Sequence, residues 1–279
     1  MSLISIILAL AFDRLLRHWH DLRDLGWFEQ YAASLDRNIR LQNGAVKYVL
    51  VLLVPMTALL LLQYLLHGAL FGIPYILFSI AVLIYCLGPD CILSDVDAYI
   101  DARRMGDDEE ALHLACAISE RPASAAPDQQ TSDVIRAILF VANTRVFAVL
   151  FWFVLLGPAG AVMYRFSYHL SRLALGALSA FADTVQAVLS WAPARMLAAG
   201  YALVGNFDSA VLAYKNRPYE PDLSVSNYDI LVNIGLGALR NIQINDEIEG
   251  IQAARNLVVR GVISWIGALA LLTLGGWMA

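Results

Sequence analysis

Apolar residues run without a break from Val146 to Tyr164, inside the stretch NTRVFAVLFWFVLLGPAGAVMYR that spans Asn143–Arg165. That run is close to the roughly 20 helical residues needed to cross a bilayer's hydrocarbon core. Gly157-Pro158 interrupts it halfway. Proline removes a backbone donor and crowds the preceding turn, so the helix is expected to kink or unwind there. Backbone groups freed in lipid must find partners inside the protein. The segment therefore calls for other helices packed around it.

The rest of the chain supplies them. Ser2–Phe12 is apolar but too short to span, and without a basic leader it is a poor signal peptide. From Asp13 to Arg40, Leu15, Trp19 and Leu22, then Trp27, Tyr31 and Leu35, recur at helical spacing among charged residues. This predicts an amphipathic helix in the headgroup region, divided near Gly26. Ala45–Leu66 is the first expected span, bent at Pro55, and Phe71–Leu87 the second. The short uncharged link His67–Leu70 makes them an antiparallel hairpin. Three helices are expected between Asp90 and Arg136: Ser94–Met105, one opened by Asp107–Glu110 after Gly106, and one beginning near Thr131. A weakly amphipathic helix follows Arg165. Leu189–Phe207 reads as a fourth span or a re-entrant element, Asn227–Ile242 as a short helix, and Leu257–Trp277 as a last span.

The fold class predicted is all-α, a polytopic membrane helix bundle, in a single integral membrane domain over 1–279. Its parts are an interfacial region 1–44, a hairpin 45–88, cytoplasmic helices 89–142, the kinked central span with its following membrane segment 143–207, a polar helical region 208–256 and a C-terminal span 257–279. The missing Lys and Arg in the 67–70 link place that link outside and the arginine-bearing loops in the cytoplasm. Composition agrees: 59% of the 279 residues are hydrophobic and only 15% charged, with mean hydropathy +0.61. A net charge of -5 without a basic run gives no sign of nucleic-acid binding. Cys86, Cys91 and Cys116 suggest no disulfide framework.

Several stretches together resemble the AmpE proteins of the bacterial inner membrane. They are LFWFVLLGPAGAVMYR, the opening Phe12-Asp13-Arg14-Leu15-Leu16, and WAPARMLAAGYALVGNF. That family sits beside the CobD/CbiB enzymes, which attach an aminopropanol or its phosphate to a corrin acid. Ser226-Asn227 with Gly237-Ala238-Leu239 is similar to that group's SPN…AGAL motif. The departures from the enzymes are specific. Phe166-Ser167-Tyr168-His169 stands where they carry Asn-Thr-Leu-Asp, Val225 replaces the proline before Asn, and Ala142-Asn143 replaces a Glu-Asn pair. The resemblance implies a signalling modulator of β-lactamase induction, linked to cell-wall recycling and the muropeptide amidase AmpD. The alternatives are a CobD/CbiB-like ligase using ATP and Mg²⁺, which must handle developing phosphate charge, or a structural membrane partner with a relic pocket.

Four polar residues in apolar surroundings are the candidate ligand-binding set: Asn143, Arg165, Arg195 and Asn227. Ionisable groups at membrane depth are costly, so those facing a cavity are functional candidates. Guanidinium forks match carboxylate or phosphate, which predicts an anionic ligand. Asp97 and Asp101 share a helix face and, with Asp90 and Asp95, are weak Mg²⁺ candidates. His113 and Cys116 are too few for a zinc site, His18 and His20 are expected at headgroups or water, and no phosphate loop of the G-x-x-x-x-G-K-[ST] kind occurs. The expected partners are the lipid bilayer, a small anionic or muropeptide-like ligand, the AmpD-linked pathway and a second copy of the chain.

Overall fold

The computed structural model describes residues 6, 25–38, 43–67, 73–87, 92–120, 124, 127–240 and 246–274. The expectations for residues 2–24, including His18, His20 and Phe12–Leu16, fall outside the described residues apart from Ile6. So do Gly68–Leu70, Asp90 and Cys91.

Described residues form helices α1 (Gly26–Asn38), α2 (Gly44–His67), α3 (Ile73–Leu87), α4 (Ile92–Met105), α5 (Asp108–Ser119) and α6 (Pro127–Ala142). A π-helical turn, Asn143–Phe147, leads into α7 (Ala148–Leu156). Then come α8 (Pro158–Arg172), α9 (Ala177–Val204), α10 (Phe207–Lys215), α11 (Leu223–Ala238) and α12 (Glu247–Leu274). Among the described residues five helical stretches are long and apolar enough to cross a membrane: Gly44–Leu66, Gln129–Leu156, Ala177–Val204, Glu247–Leu271, and a fifth whose described residues are those of α3 from Pro74 and of α4. The all-α polytopic class is thus borne out. The fourth expected span begins earlier than hydropathy alone suggests, at Ala177, and the last begins at Glu247.

The chain divides into two compact units. The first holds the described residues up to Leu87 together with residues 148–190, and α8 is its most enclosed helix: eleven of its fifteen residues are buried. The apolar run Val146–Tyr164 does not form one bent crossing. Gly157 adopts φ 70°, a left-handed value that L side chains avoid, and α7 ends on its N–H, which donates to Phe153 O at 2.9 Å. Pro158 then starts α8 at its first position, where the missing N–H costs nothing. The chain turns back so sharply that a methyl on Gly160 would overlap the Trp152 carbonyl and the Leu156 Cβ. Gly160→Ala is therefore expected to cost about 1–3 kcal/mol through overpacking. An unchanged melting temperature in detergent would contradict this reversal.

Around α8, α1 docks through Phe28, which is fully buried and stacks on Phe166 at 4.0 Å between ring centroids. Tyr48 of α2 hydrogen-bonds Ser167 at 2.6 Å, and Lys47 pairs with Asp36 at 2.6 Å. Trp152 Nε1 donates to Leu189 O at 3.0 Å. Leu189 lies four residues before Pro193, which has no N–H to satisfy that carbonyl, so the indole replaces the missing helical bond. The outer face of α2 exposes Val49, Leu53, Val54, Leu61 and Leu65. A surface so apolar would be costly in water and suits lipid.

The second unit holds the described residues from Ile92 to Phe147 and from Trp191 to Leu274. Its core joins α4, α5, α6, α9, α11 and α12 through Tyr99, Ile118, Leu139, Leu197, Tyr201, Leu231 and Ala254. Gly106, at φ 74°, ends α4, and the Asp107 side chain caps α5 by accepting from Glu110 N at 3.1 Å. Small residues bring α9 and α12 together. Trp265 lies against Gly200 and donates its Nε1–H to Met196 O at 2.8 Å, while Tyr201 lies against Gly261. Asn206 caps α10 by accepting from Ser209 N at 2.8 Å, and its own N–H reaches Ala238 O at the end of α11 at 2.9 Å.

Candidate functional site

Arg195 and Asn227 meet in the second unit. The Trp191–Arg195 spacing of one helical turn lays the guanidinium over the indole, 4.3 Å from its centroid, and lets Nη1 donate to Trp191 O at 3.0 Å. The same Nη1 donates to Asn227 Oδ1 at 2.9 Å, and Nη2 to Ser226 Oγ at 3.4 Å. Ser226 and Asn227, both buried, sit at the end of the first turn of α11 and the start of the second. The first turn is set by Asp222, whose carboxylate accepts from Ser224 N at 2.7 Å and Val225 N at 3.3 Å.

A second guanidinium arrives from the loop after α10. Arg217 Nη1 donates to the carbonyl of the same Ser226 at 3.3 Å, and its guanidinium carbon lies 5.8 Å from the Tyr214 ring centroid. Neither arginine has a carboxylate partner among the described residues. The nearby acids are occupied with backbone, Asp222 as the cap and Glu220 accepting from Asp222 N at 3.3 Å. Two like charges converging on a buried turn repel one another, and an anion between them converts that repulsion into charge-assisted hydrogen bonds. The bonds described use both Nη1–H groups and one Nη2–H of Arg195, and among the described residues its Nε–H takes no hydrogen-bond acceptor.

Asn143 opens the π turn and is fully buried, and neither amide atom has a hydrogen-bond partner among the described residues. π turns inside α-helices are frequent at functional positions. Two hydroxyls bond carbonyls in the turn before it: Thr144 Oγ1 to Val141 O at 3.1 Å and Tyr201 Oη to Leu139 O at 3.0 Å.

Arg165 belongs to the first unit. It is buried in α8 with its guanidinium carbon 5.6 Å from the Tyr168 ring centroid. Arg145, beside Asn143 in sequence, joins an ionic cluster. It donates to Glu120 at 2.8 and 3.0 Å, to Asp95 at 3.5 Å and to Ala117 O at 3.2 Å. The weak metal candidates are likewise paired, Asp97 with Arg255 at 2.9 Å and Asp101 with Arg104 at 3.8 Å. Among the described residues no three His, Cys, Asp or Glu side chains gather as a metal site would require. Residue-by-residue reading misses Arg217. Its one signal is the position before Pro218, which fixes an extended loop residue that can swing back over α11.

The family model described as "Regulatory signalling modulator protein AmpE" matches residues 1–279. The chain is 26% identical to Protein AmpE of Shigella flexneri over 293 aligned positions, covering 99% of each chain. It is 25% identical to the cobalamin biosynthesis protein CobD of Stutzerimonas stutzeri (strain A1501), covering 99% of this chain and 98% of that one. No solved structure matches.

Proposed function

Because the chain belongs to the AmpE family, we propose that it is a regulatory modulator in the bacterial inner membrane whose signal is a small anionic or lipid-linked ligand held by Arg195, Arg217 and Asn227. The response it modulates is β-lactamase induction, fed by cell-wall recycling and the AmpD-linked pathway, and a muropeptide carboxylate has the charge the site asks for. One observation carries the reading: two guanidinium groups converge on Ser226 with no carboxylate partner among the described residues. Asn143 adds a second buried polar position to the same unit.

Native mass spectrometry of the detergent-purified protein tests it. Wild type is expected to carry a co-purifying anionic small molecule. Arg195→Ala is expected to lose it, with apparent affinity down about tenfold or more, the usual scale of a hydrogen bond to a charged group. Arg195→Lys should recover the charge and only part of the binding, because an ammonium cannot present a planar fork. Equal occupancy of wild type and Arg195→Ala would sink the proposal.

The similarity to CobD favours a second reading, an ATP- and Mg²⁺-dependent ligase. That reading requires carboxylates free to hold a metal, and Asp97 and Asp101 instead face Arg255 and Arg104. Nucleotide turnover abolished by Asp97→Asn would reverse the ranking.

A further inference from the structure

We infer that a groove between α10 and α11, which shares Arg217 with the Arg195 cluster but has Arg240 and Asn233 to itself, binds a phosphate group. Near Gly237 the two helices almost touch, since a Cβ there would press on Ser209 O and the Ala210 Cα at 2.8 and 3.0 Å. Beyond that contact they leave a cavity of about 320 Å³, at the low end of the roughly 300–1,000 Å³ that ligand sites occupy. Arg217 and Arg240 line it with the carboxamides of Asn216 and Asn233, and among the described residues no acid lines it. Neither arginine forms an ion pair among the described residues. Carboxamides and guanidinium groups together offer hydrogen-bond donors to several oxygens of one tetrahedral anion. Leu212 and Leu236 give the lining an apolar part, Leu212 is exposed, and Tyr214 and Tyr219, close in sequence to the lining residues, are exposed as well. A phosphate with a hydrocarbon attached would find both of its parts accommodated there. Aromatic side chains of this kind settle at the headgroup level of a bilayer.

Phosphate reaches such a groove from two sources, an anionic phospholipid headgroup or a soluble phosphate. Two arms separate them. In the first, protein in nanodiscs of phosphatidylglycerol and phosphatidylcholine is released into native mass spectrometry and retained lipids are counted. In the second, delipidated protein in detergent is melted with and without inorganic phosphate.

Retention of phosphatidylglycerol over phosphatidylcholine by wild type and Arg195→Ala, lost about tenfold in Arg240→Gln, identifies a lipid headgroup site. A rise in melting temperature with phosphate, present in wild type and Arg195→Ala but absent in Arg240→Gln, identifies a soluble ligand. Asn233→Asp is the second variant. It keeps the side-chain shape and adds a negative charge, so it should abolish either signal even if Arg240→Gln folds poorly. Should neither arm give a signal, or should both variants bind as wild type does, the groove holds no phosphate. Arg240 and Asn233 line only this groove, and Arg195→Ala is expected to leave this signal intact, so the Arg240 and Asn233 variants read the groove apart from the ligand proposed at Ser226.

Discussion

Arg145→Met is expected to destabilise the protein by about 3–5 kcal/mol, the usual cost of removing one partner from a buried ion pair. Arg145 is only 11% exposed, and it faces Glu120 at 15% and Asp95 at 24%. Its fork also reaches Ala117 O. The cluster ties the C-terminal end of α5 to the π turn and the N-terminal turn of α4. Glu120 is carried there by a left-handed backbone, φ 54°, immediately after α5. Without the guanidinium, two carboxylates would approach one another without their shared cation. Arg145→Lys should recover only part of the loss, because a point charge cannot serve Glu120 and the carbonyl in one plane. Combining Arg145→Met with Glu120→Gln and Asp95→Asn should restore most of it, since neutral groups need no cation. Thermal unfolding in detergent reads all three variants. A loss below about 1 kcal/mol for Arg145→Met would mean that the cluster behaves as a solvated surface pair.

Much of this is legible in the sequence, and the failures have physical causes. Gly44–His67 and Ile73–Leu87 follow from long, predominantly apolar runs. The start of α5 follows from Gly106 and the acids after it, because glycine permits the left-handed stop and acids complement the helix dipole. The central run is legible as apolar but not in its path. Hydropathy carries no direction, so a run that crosses and a run that turns back at Gly157 look alike. The glycine before a proline is the available clue, and the positive φ is what it encodes.

Arg195 and Asn227 stand out because polar groups are scarce in their surroundings, and the fold brings them within 2.9 Å. The ion cluster of Arg145 is hidden in the sequence because its partners lie 25 and 50 positions away. Arg217 reads as loop because only the return of α11 places Ser226 under it.

Asn143 should show opposite signs for stability and function. A buried, unpartnered amide costs about 1–3 kcal/mol relative to a satisfied or apolar one. Asn143→Leu has similar volume and removes that cost, so it is expected to stabilise the protein by about 1–3 kcal/mol. Asn143→Asp places a charge in the same enclosed position and is expected to destabilise it by roughly 3–5 kcal/mol, the scale of an uncompensated buried charge.

If the amide serves only packing, the more stable leucine variant will signal normally. If it serves a ligand or a moving π turn, the response proposed for this chain, β-lactamase induction, will fall in a strain carrying Asn143→Leu while the melting temperature rises. A position where stability has been given up for activity shows that pairing. A leucine variant that melts lower than wild type would instead mean that the asparagine already has a partner, such as an enclosed water. The functional reading of the π turn would then lose its support.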